Sequence, residues 1–139
     1  MERSVEILLV EDNEPDIRLT QEGIKETKIH NNLHVARDGE EAMNFLYKRG
    51  NYRDVVTPDL ILLDLNLPKK DGREVLLAIR SDPRFRDLSI VIWTTSNHAA
   101  DKAFCKKNGA SSYVTKPHTY AELVKAIQKI VSEWLPLSD

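Results

Sequence analysis

Five short apolar segments alternate along the chain with segments whose apolar residues recur at helical spacing. The apolar segments are the predicted strands, at residues 5–10, 33–36, 60–63, 90–93 and 112–115. Helices are predicted to begin near residues 14, 39, 72, 99 and 120. Short, continuous apolar runs indicate strands buried on both faces of a parallel sheet. Alternation of strand and helix, joined by right-handed crossovers, predicts a (βα)5 α/β fold: a flavodoxin-like, doubly wound five-stranded parallel sheet with strand order 2-1-3-4-5.

Composition narrows the class of protein. The 139 residues suit one domain, residues 1–139, and we expect no output domain to follow it. A formal net charge of -2 argues against a nucleic-acid partner. No apolar run approaches the roughly 18 residues needed to cross a bilayer, so no membrane segment or membrane partner is expected. Cys105 has no second cysteine to pair with, and the N-terminus does not resemble a signal peptide. Together these features predict a cytoplasmic protein.

Polar residues of different chemistry stand where four of the predicted strands end. Glu11 and Asp12 follow the first strand, and Asp64 follows the third. Thr94 ends the fourth strand, and Lys116 follows the fifth. Because the carboxyl ends of parallel strands share one edge of the sheet, these side chains are expected to converge there.

Three carboxylates brought together would repel one another unless a cation joined them. Oxygen ligands without histidine or cysteine favour Mg²⁺, which commonly shares its coordination shell with phosphate oxygens. Lys116 adds a fixed positive charge and Thr94 a hydroxyl, both suited to stabilising a transferring phosphoryl group. Asp64 is therefore the predicted nucleophile, which would form an aspartyl phosphate.

These features coincide with motifs of a known family. The chain resembles a response-regulator receiver domain of two-component signalling over essentially its whole length, in the segments Leu9-Val10-Glu11-Asp12-Asn13, Leu62-Leu63-Asp64-Leu65-Asn66-Leu67-Pro68, Asp71-Gly72, Thr94-Thr95-Ser96 and Tyr113-Val114-Thr115-Lys116-Pro117. The resemblance implies a phosphoacceptor of a phosphorelay that takes its phosphoryl group from a sensor histidine kinase. It implies a signalling protein rather than an enzyme, although one that assists its own phosphorylation and dephosphorylation.

The resemblance also implies a role for each site residue. Asp64 resembles the phosphoacceptor, Asp12 the direct Mg²⁺ ligand, and Glu11 an acid acting mostly through metal-bound water. The backbone carbonyl of Asn66 resembles a further metal ligand. The remaining roles fall to three residues in or directly after the last two strands. Thr94 resembles the switch hydroxyl, Tyr113 the aromatic that turns inward on activation, and Lys116 the ion partner, joined to Pro117 by a cis peptide.

Within the family, residues 60–76 are similar to stand-alone regulators that serve phytochrome-type histidine kinases. The resemblance therefore implies a phytochrome-type kinase as the partner. It also implies that the output is a contact with another protein.

Two alternative functions fit the same fold. A phosphatase of the haloacid-dehalogenase type also uses an aspartate nucleophile with Mg²⁺, but it needs a second acid where this chain has Asn66. A flavodoxin-like FMN-binding module needs a phosphate-binding loop after the first strand. The acidic residues at that position would repel a phosphate in the absence of metal.

The final helix predicts an interaction surface. Its apolar stripe continues almost to the end of the chain, where we expect the sheet to give it no cover. Exposed apolar groups of this kind mark contact surfaces, and tryptophan is enriched among residues that anchor interfaces. We therefore predict a homodimer whose interface includes Tyr120, Ile127 and Trp134.

Overall fold

The computed structural model describes residues 4–135 and contains one parallel sheet with helices on both faces. The five strands are β1 (Val5–Val10), β2 (Asn31–Ala36), β3 (Leu60–Leu63), β4 (Ser89–Thr94) and β5 (Ser112–Thr115). The five α-helices are α1 (Glu14–Glu26), α2 (Gly39–Leu46), α3 (Gly72–Arg80), α4 (Ala99–Lys107) and α5 (Tyr120–Trp134).

The sheet has the order β2-β1-β3-β4-β5, which confirms the predicted topology. Its register aligns the strand ends: Val10 pairs with Leu63, and Thr94 pairs with Thr115. All four residues of β3 are buried, as expected of a central strand covered on both faces. The register therefore brings the residues that follow β1, β3 and β5 to the same edge.

Two separate apolar clusters hold the helices to the sheet. One joins β1, β3 and β4 to α2 and α3, while the other joins the opposite face of the sheet to α1 and α5. Trp93 is fully buried in the second cluster, and its indole N–H donates a hydrogen bond of 3.1 Å to the hydroxyl of Thr20 in α1. That bond satisfies two buried polar groups whose burial without a partner would be costly.

Side-chain oxygens cap the starts of α1 and α2. Asn13 accepts a hydrogen bond from the backbone of Asp16, and Asp38 accepts one from the backbone of Glu41. These side-chain oxygens satisfy N–H groups that the first helical turn leaves free.

The structure differs from the predicted elements in a few places. β2 begins at Asn31, two residues before the apolar run, because its first residues pair with β1 from Val5 onward. The loop before β3 contains a 3₁₀ turn at Gly50–Tyr52, and a second one covers Pro83–Phe85. Ring contacts of Tyr52 with Phe45, and of Tyr47 with Phe85, hold these turns against α2.

In α4 the residue that faces the core is Cys105, which is fully buried, whereas Ala99 and Ala103 are exposed. Phe104, the neighbour of Cys105, is half-buried. The Cys105 thiol behaves as a small apolar group here, and burial raises its pKa to about 11.

The predicted exposure of the α5 stripe is wrong at two residues. Ile127 is 1% exposed and Leu135 7%, because α5 lies on the sheet and close to α1 along its length. The close approach depends on Gly23 in α1, where an added Cβ would lie 2.5 Å from the Cδ1 atom of Ile127. Ile127 therefore belongs to the core and cannot contribute to an interface. Trp134 is half-buried, and Tyr120 is exposed.

The expected cis peptide between Lys116 and Pro117 is also wrong, since every peptide bond described for residues 4–135 is trans. Trans is the lower-energy form even before proline. None of the helices in this part of the chain is long and apolar enough to cross a membrane.

Candidate functional site

The first part of the site forms where β1 and β3 end side by side. The backbone N–H of Glu11 bonds to Ala36 O at 2.9 Å, and that of Asp64 bonds to Val10 O at 3.1 Å. These bonds continue the sheet pattern past the strands and hold both acids at one edge. Glu11 and Asp64 are buried, whereas Asp12 is exposed.

Three carboxylates meet at this edge, as the sequence predicts. One oxygen from each of Glu11, Asp12 and Asp64 lies within 4.8 Å of the others. The Oδ1 atom of Asp64 accepts a hydrogen bond of 2.7 Å from the Leu65 N–H, which fixes the orientation of that carboxylate. Asn66 follows in the exposed loop after β3, and its carbonyl stays a predicted ligand.

Lys116 supplies the positive charge of the site. Its backbone N–H bonds to Thr94 O at 2.7 Å, which brings it to the same edge directly after β5. Its buried Nζ atom donates to the Oε1 atom of Glu11 and lies 3.2 Å from Asp16 Oδ2 and 3.6 Å from Asp64 Oδ2. The predicted association of Lys116 with the acids is therefore present, with Asp16 as an additional partner.

Burial and charge perturb the protonation of this group. Burial raises the pKa of Glu11 to about 7; the hydrogen bond from Lys116 opposes this rise, and the charge of Asp64 adds to it. Burial alone would lower the pKa of Lys116, but the charges of Asp64 and Glu11 outweigh burial and raise that pKa. The acids at this edge thus exceed the positive charge that the lysine supplies.

A tight turn carries the chain from Asp64 into α3. Gly72 N–H bonds to Leu65 O at 2.9 Å, and a Cβ at position 72 would lie 2.1 Å from the Asp64 carbonyl oxygen. Only glycine fits such a close approach of two backbone segments. Asp71 and Glu74 form a capping box that begins α3 beside this turn.

The second part of the site follows β4. Thr94 is fully buried, and its hydroxyl accepts a hydrogen bond of 3.3 Å from the Ser96 N–H. The Tyr113 hydroxyl donates to the Ser96 carbonyl oxygen at 2.8 Å, and the ring packs against the core. The two predicted switch residues, Thr94 and Tyr113, therefore bind the same residue of the β4–α4 loop.

A hydrogen-bond network extends this part of the site to two further helices. The Ser96 hydroxyl donates to Asp101 Oδ2 at 2.6 Å, and the Arg73 guanidinium donates to Asp101 Oδ1 at 2.7 and 3.1 Å. The hydrogen bonds from Ser96 and Arg73 lower the pKa of Asp101. Sequence reasoning missed Arg73 and Asp101, because only the packing of α3 beside α4 joins them.

The donor set fits a hard divalent cation. The ligand atoms are carboxylate oxygens, and Glu11 is buried at a cost that a nearby cation would reduce. No buried side-chain N or O atom in the part of the chain described here lacks a hydrogen-bond partner. The excess negative charge of the acids, rather than an unsatisfied polar atom, is thus the feature that such a cation would relieve.

Comparison with known proteins agrees with this geometry. The sequence model of the response regulator receiver domain family matches residues 7–128 of this chain. The response regulator Rcp1 of Synechocystis sp. is 45% identical over 129 residues, which is 93% of this chain and 88% of that protein.

Solved structures give the same result. The phosphorylated cyanobacterial phytochrome response regulator RcpA superposes with a TM-score of 0.91 at 40% identity, covering 99% of this chain and 98% of the other. The Mn²⁺-bound form of Rcp1 superposes with a TM-score of 0.88 at 43% identity, covering 97% of each chain. These matches set aside the dehalogenase-type phosphatase and the FMN-binding module. The chain belongs to the response regulator receiver domain family, and its function is that of a phosphoacceptor in two-component signalling.

Proposed function

We propose that Asp64 is the residue that accepts the phosphoryl group, in a reaction that depends on Mg²⁺. The observation that carries this proposal is the convergence of Glu11, Asp12 and Asp64 within 4.8 Å, with Lys116 Nζ at 3.6 Å from Asp64 Oδ2. Glu11, Asp12, Asp64 and the carbonyl of Asn66 would hold the cation. When bound, Mg²⁺ supplies positive charge beside the transferring group.

The remaining chemistry follows from the chain's own residues. The Leu65 N–H holds Asp64 Oδ1, so Oδ2 faces Lys116. A carboxylate oxygen of Asp64 attacks the phosphorus of a phosphohistidine. The new P–O bond forms as the P–N bond breaks, and the departing imidazole nitrogen keeps the electron pair. Lys116 and the Thr94 hydroxyl stabilise the charge on the phosphoryl oxygens.

Hydrolysis of the aspartyl phosphate, which restores the Asp64 carboxylate, uses the same charges. We expect the domain to assist that step as well as its own phosphorylation, while the output remains a contact with another protein. Thr94 couples phosphorylation to the output contact, because its hydroxyl can bond either to the Ser96 N–H or to a phosphoryl oxygen. A Thr94→Ala protein should therefore accept phosphate but pass the change on to Ser96 and Tyr113 only weakly.

The kinase partner is proposed from the relatives. RcpA is a phytochrome response regulator, and its structure covers nearly the whole of this chain. We propose that a phytochrome-type histidine kinase phosphorylates this protein, and that the exchange takes place in the cytoplasm. A phosphotransfer profile against several purified kinases tests this assignment, which would fail if a kinase of another class transferred phosphate fastest.

The test of the phosphoacceptor uses acetyl phosphate and Mg²⁺. Asp64→Asn should abolish phosphorylation, measured by the mass increase of one phosphoryl group. Asp54→Asn, at an exposed acid in the loop before β3, should leave it unchanged. Undiminished phosphorylation of Asp64→Asn would overturn the proposal, and phosphorylation that persists after Mg²⁺ is removed would overturn the metal dependence.

A homodimer through β5 and α5 is the second part of the proposal. β5 is an edge strand, and Trp134 lines a groove of about 340 Å³ between β5 and α5. Tyr120 is 45% exposed at the start of the same helix. An edge strand beside the half-buried Trp134, on a helix that also carries the exposed Tyr120, supports an interface between two copies.

Sedimentation tests the dimer. Tyr120→Ala and Trp134→Ala should each lower the dimer fraction without preventing phosphorylation. Leu77→Ala provides the control, because Leu77 is a comparably exposed apolar residue on α3. A wild-type protein that remains monomeric at high micromolar concentration, with beryllofluoride and Mg²⁺ present, would contradict this part of the proposal.

A further inference from the structure

The ammonium group of Lys116 is shared among carboxylates from three parts of the fold. Glu11 follows β1, Asp64 follows β3, and Asp16 lies in the first turn of α1. Asp16 Oδ2 is 3.2 Å from Nζ, closer than Asp64 Oδ2 at 3.6 Å. An acid outside the set at the strand ends therefore holds the lysine more closely than the proposed phosphoacceptor does.

The start of α1 fixes the position of Asp16. Asn13 caps the helix by accepting the Asp16 N–H at 2.9 Å, and Pro15 occupies the first turn. The helix dipole favours a negative charge at this position. The Asp16 side chain is about a third exposed, so it borders the site at the surface and reaches Lys116 from the solvent side.

Counting hydrogen bonds shows how the donors of Lys116 are distributed among the acids. An ammonium group has three N–H donors. In this arrangement Glu11 accepts one and Asp16 accepts another at 3.2 Å. The separation of 3.6 Å to Asp64 is beyond the range of a good N–H···O hydrogen bond, so the interaction there is one of charge alone.

We propose that Asp16 is a positioning residue that competes with Asp64 for the ammonium of Lys116 and so restrains phosphorylation. Transfer of a phosphoryl group is fastest when donors already point to where charge accumulates. Asp16 directs one donor of Lys116 toward α1 instead. This inference rests on the proposed role of Asp64 as phosphoacceptor and adds a residue that sets how readily Asp64 reacts.

The decisive variant is Asp16→Asn, which keeps the size of the side chain but removes its charge. Its rate of phosphorylation by acetyl phosphate, at saturating Mg²⁺, should rise about fivefold, the factor that corresponds to the net contribution of one typical intramolecular hydrogen bond. Asp16→Glu keeps the charge and should remain near the wild-type rate. An unchanged or lower rate for Asp16→Asn would overturn the proposal, because a purely structural brace between α1 and Lys116 would give that result.

Glu14→Gln separates competition for Lys116 from a general effect of charge. Glu14 lies in the same helical turn, but it pairs with Arg37 at 2.5 Å instead of with Lys116. Removing its charge should change the rate much less than Asp16→Asn does. Equal increases in the two variants would show that only net charge matters and would overturn the positioning role.

A measurement without metal or phosphate tests the contact itself. The ¹⁵N resonance of the Lys116 ammonium should move in Asp16→Asn and stay in place in Glu14→Gln. If that resonance does not shift in Asp16→Asn, the proposal fails even when Asp64 accepts phosphate. If the resonance responds but neither wild type nor Asp16→Asn is phosphorylated, the role of Asp64 has failed instead, and the restraint with it.

Discussion

The site has two halves that solve the problem of buried polar groups in different ways. The acid pocket, made of Glu11, Asp12, Asp64 and Lys116, holds three carboxylates close together, and the Lys116 ammonium contacts two of them, Glu11 and Asp64. The switch network consists of Thr94, Ser96, Tyr113, Asp101 and Arg73, and its polar groups are joined by hydrogen bonds of 2.6 to 3.3 Å.

The difference lies in what each half still needs. Burial leaves Glu11 with a raised pKa, whereas bonds from Ser96 and Arg73 lower the pKa of Asp101. A site with excess buried negative charge gains from a cation or a positive donor, while a satisfied network gains nothing from one. The acid pocket should therefore respond to metal and pH, and the switch network should respond to neither within the neutral range.

The largest effect is expected at Lys116. Lys116→Ala should lower the free energy of unfolding by about 3 kcal/mol at about pH 8 without metal, because it leaves Glu11 buried and unpaired. The loss should shrink at about pH 5, where Glu11 can take up a proton. Urea unfolding measures both values. Lys129→Ala, at a lysine whose side chain is 80% exposed, should stay close to wild type.

A pH effect of intermediate size should come from Glu11. Its folded pKa of about 7 lies above its ordinary value of 4.5, so the folded protein binds this proton more tightly than the unfolded chain does. The resulting stability is present at low pH and is lost as the pH rises through about 7, by about 2 kcal/mol without metal.

Unfolding curves from about pH 5 to about pH 8 measure this slope. Glu11→Gln should remove most of it, because the glutamine cannot take up the proton. Saturating Mg²⁺ should also flatten it by favouring the ionised carboxylates. A metal-free wild type with the same stability across this range would show that Glu11 does not titrate there.

The smallest effect is expected in the switch network. Asp101→Asn should cost about 1.5 kcal/mol of unfolding free energy, since it weakens charged hydrogen bonds from Ser96 and Arg73. The pKa of Asp101 is lower in the folded protein than in the unfolded chain, so Asp101 is ionised in both states at neutral pH. The loss of unfolding free energy should therefore be constant at neutral pH and decline only in acid.

Asp87→Asn, at an exposed acid before β4, provides the matched control. Added Mg²⁺ should not alter the difference between Asp101→Asn and wild type. A large metal effect on that difference would mean that the two halves of the site are energetically joined and would break the comparison.

Sequence patterns were sufficient to place the site residues that lie at the ends of the predicted strands. The apolar runs determined the strands, and a parallel sheet brings their ends together, so the sequence alone could place Glu11, Asp64, Thr94 and Lys116 at one edge. Asp16 has a local explanation as an acid in the first turn of a helix, and this explanation hid its contact with Lys116, which is 100 positions away.

Packing between helices explains two further failures of prediction. Ile127 can be buried because Gly23 in the neighbouring helix α1 has no side chain that would collide with it. The periodicity of α5 contains no information about Gly23. The pairing of Arg73 with Asp101 likewise requires the relative positions of α3 and α4. Contacts between helices were thus beyond prediction from pattern, although each helix was correctly placed along the chain.

The burial of Trp93 has a practical consequence for spectroscopy. The chain has two tryptophans: Trp93 is fully enclosed and directly precedes Thr94, while Trp134 is half-buried beside β5. A Trp134→Phe protein would emit only from an indole adjacent to the switch hydroxyl and sheltered from iodide. A Trp93→Phe protein would emit only from the face proposed to pair. One pair of substitutions thus separates the optical signal of switching from that of association.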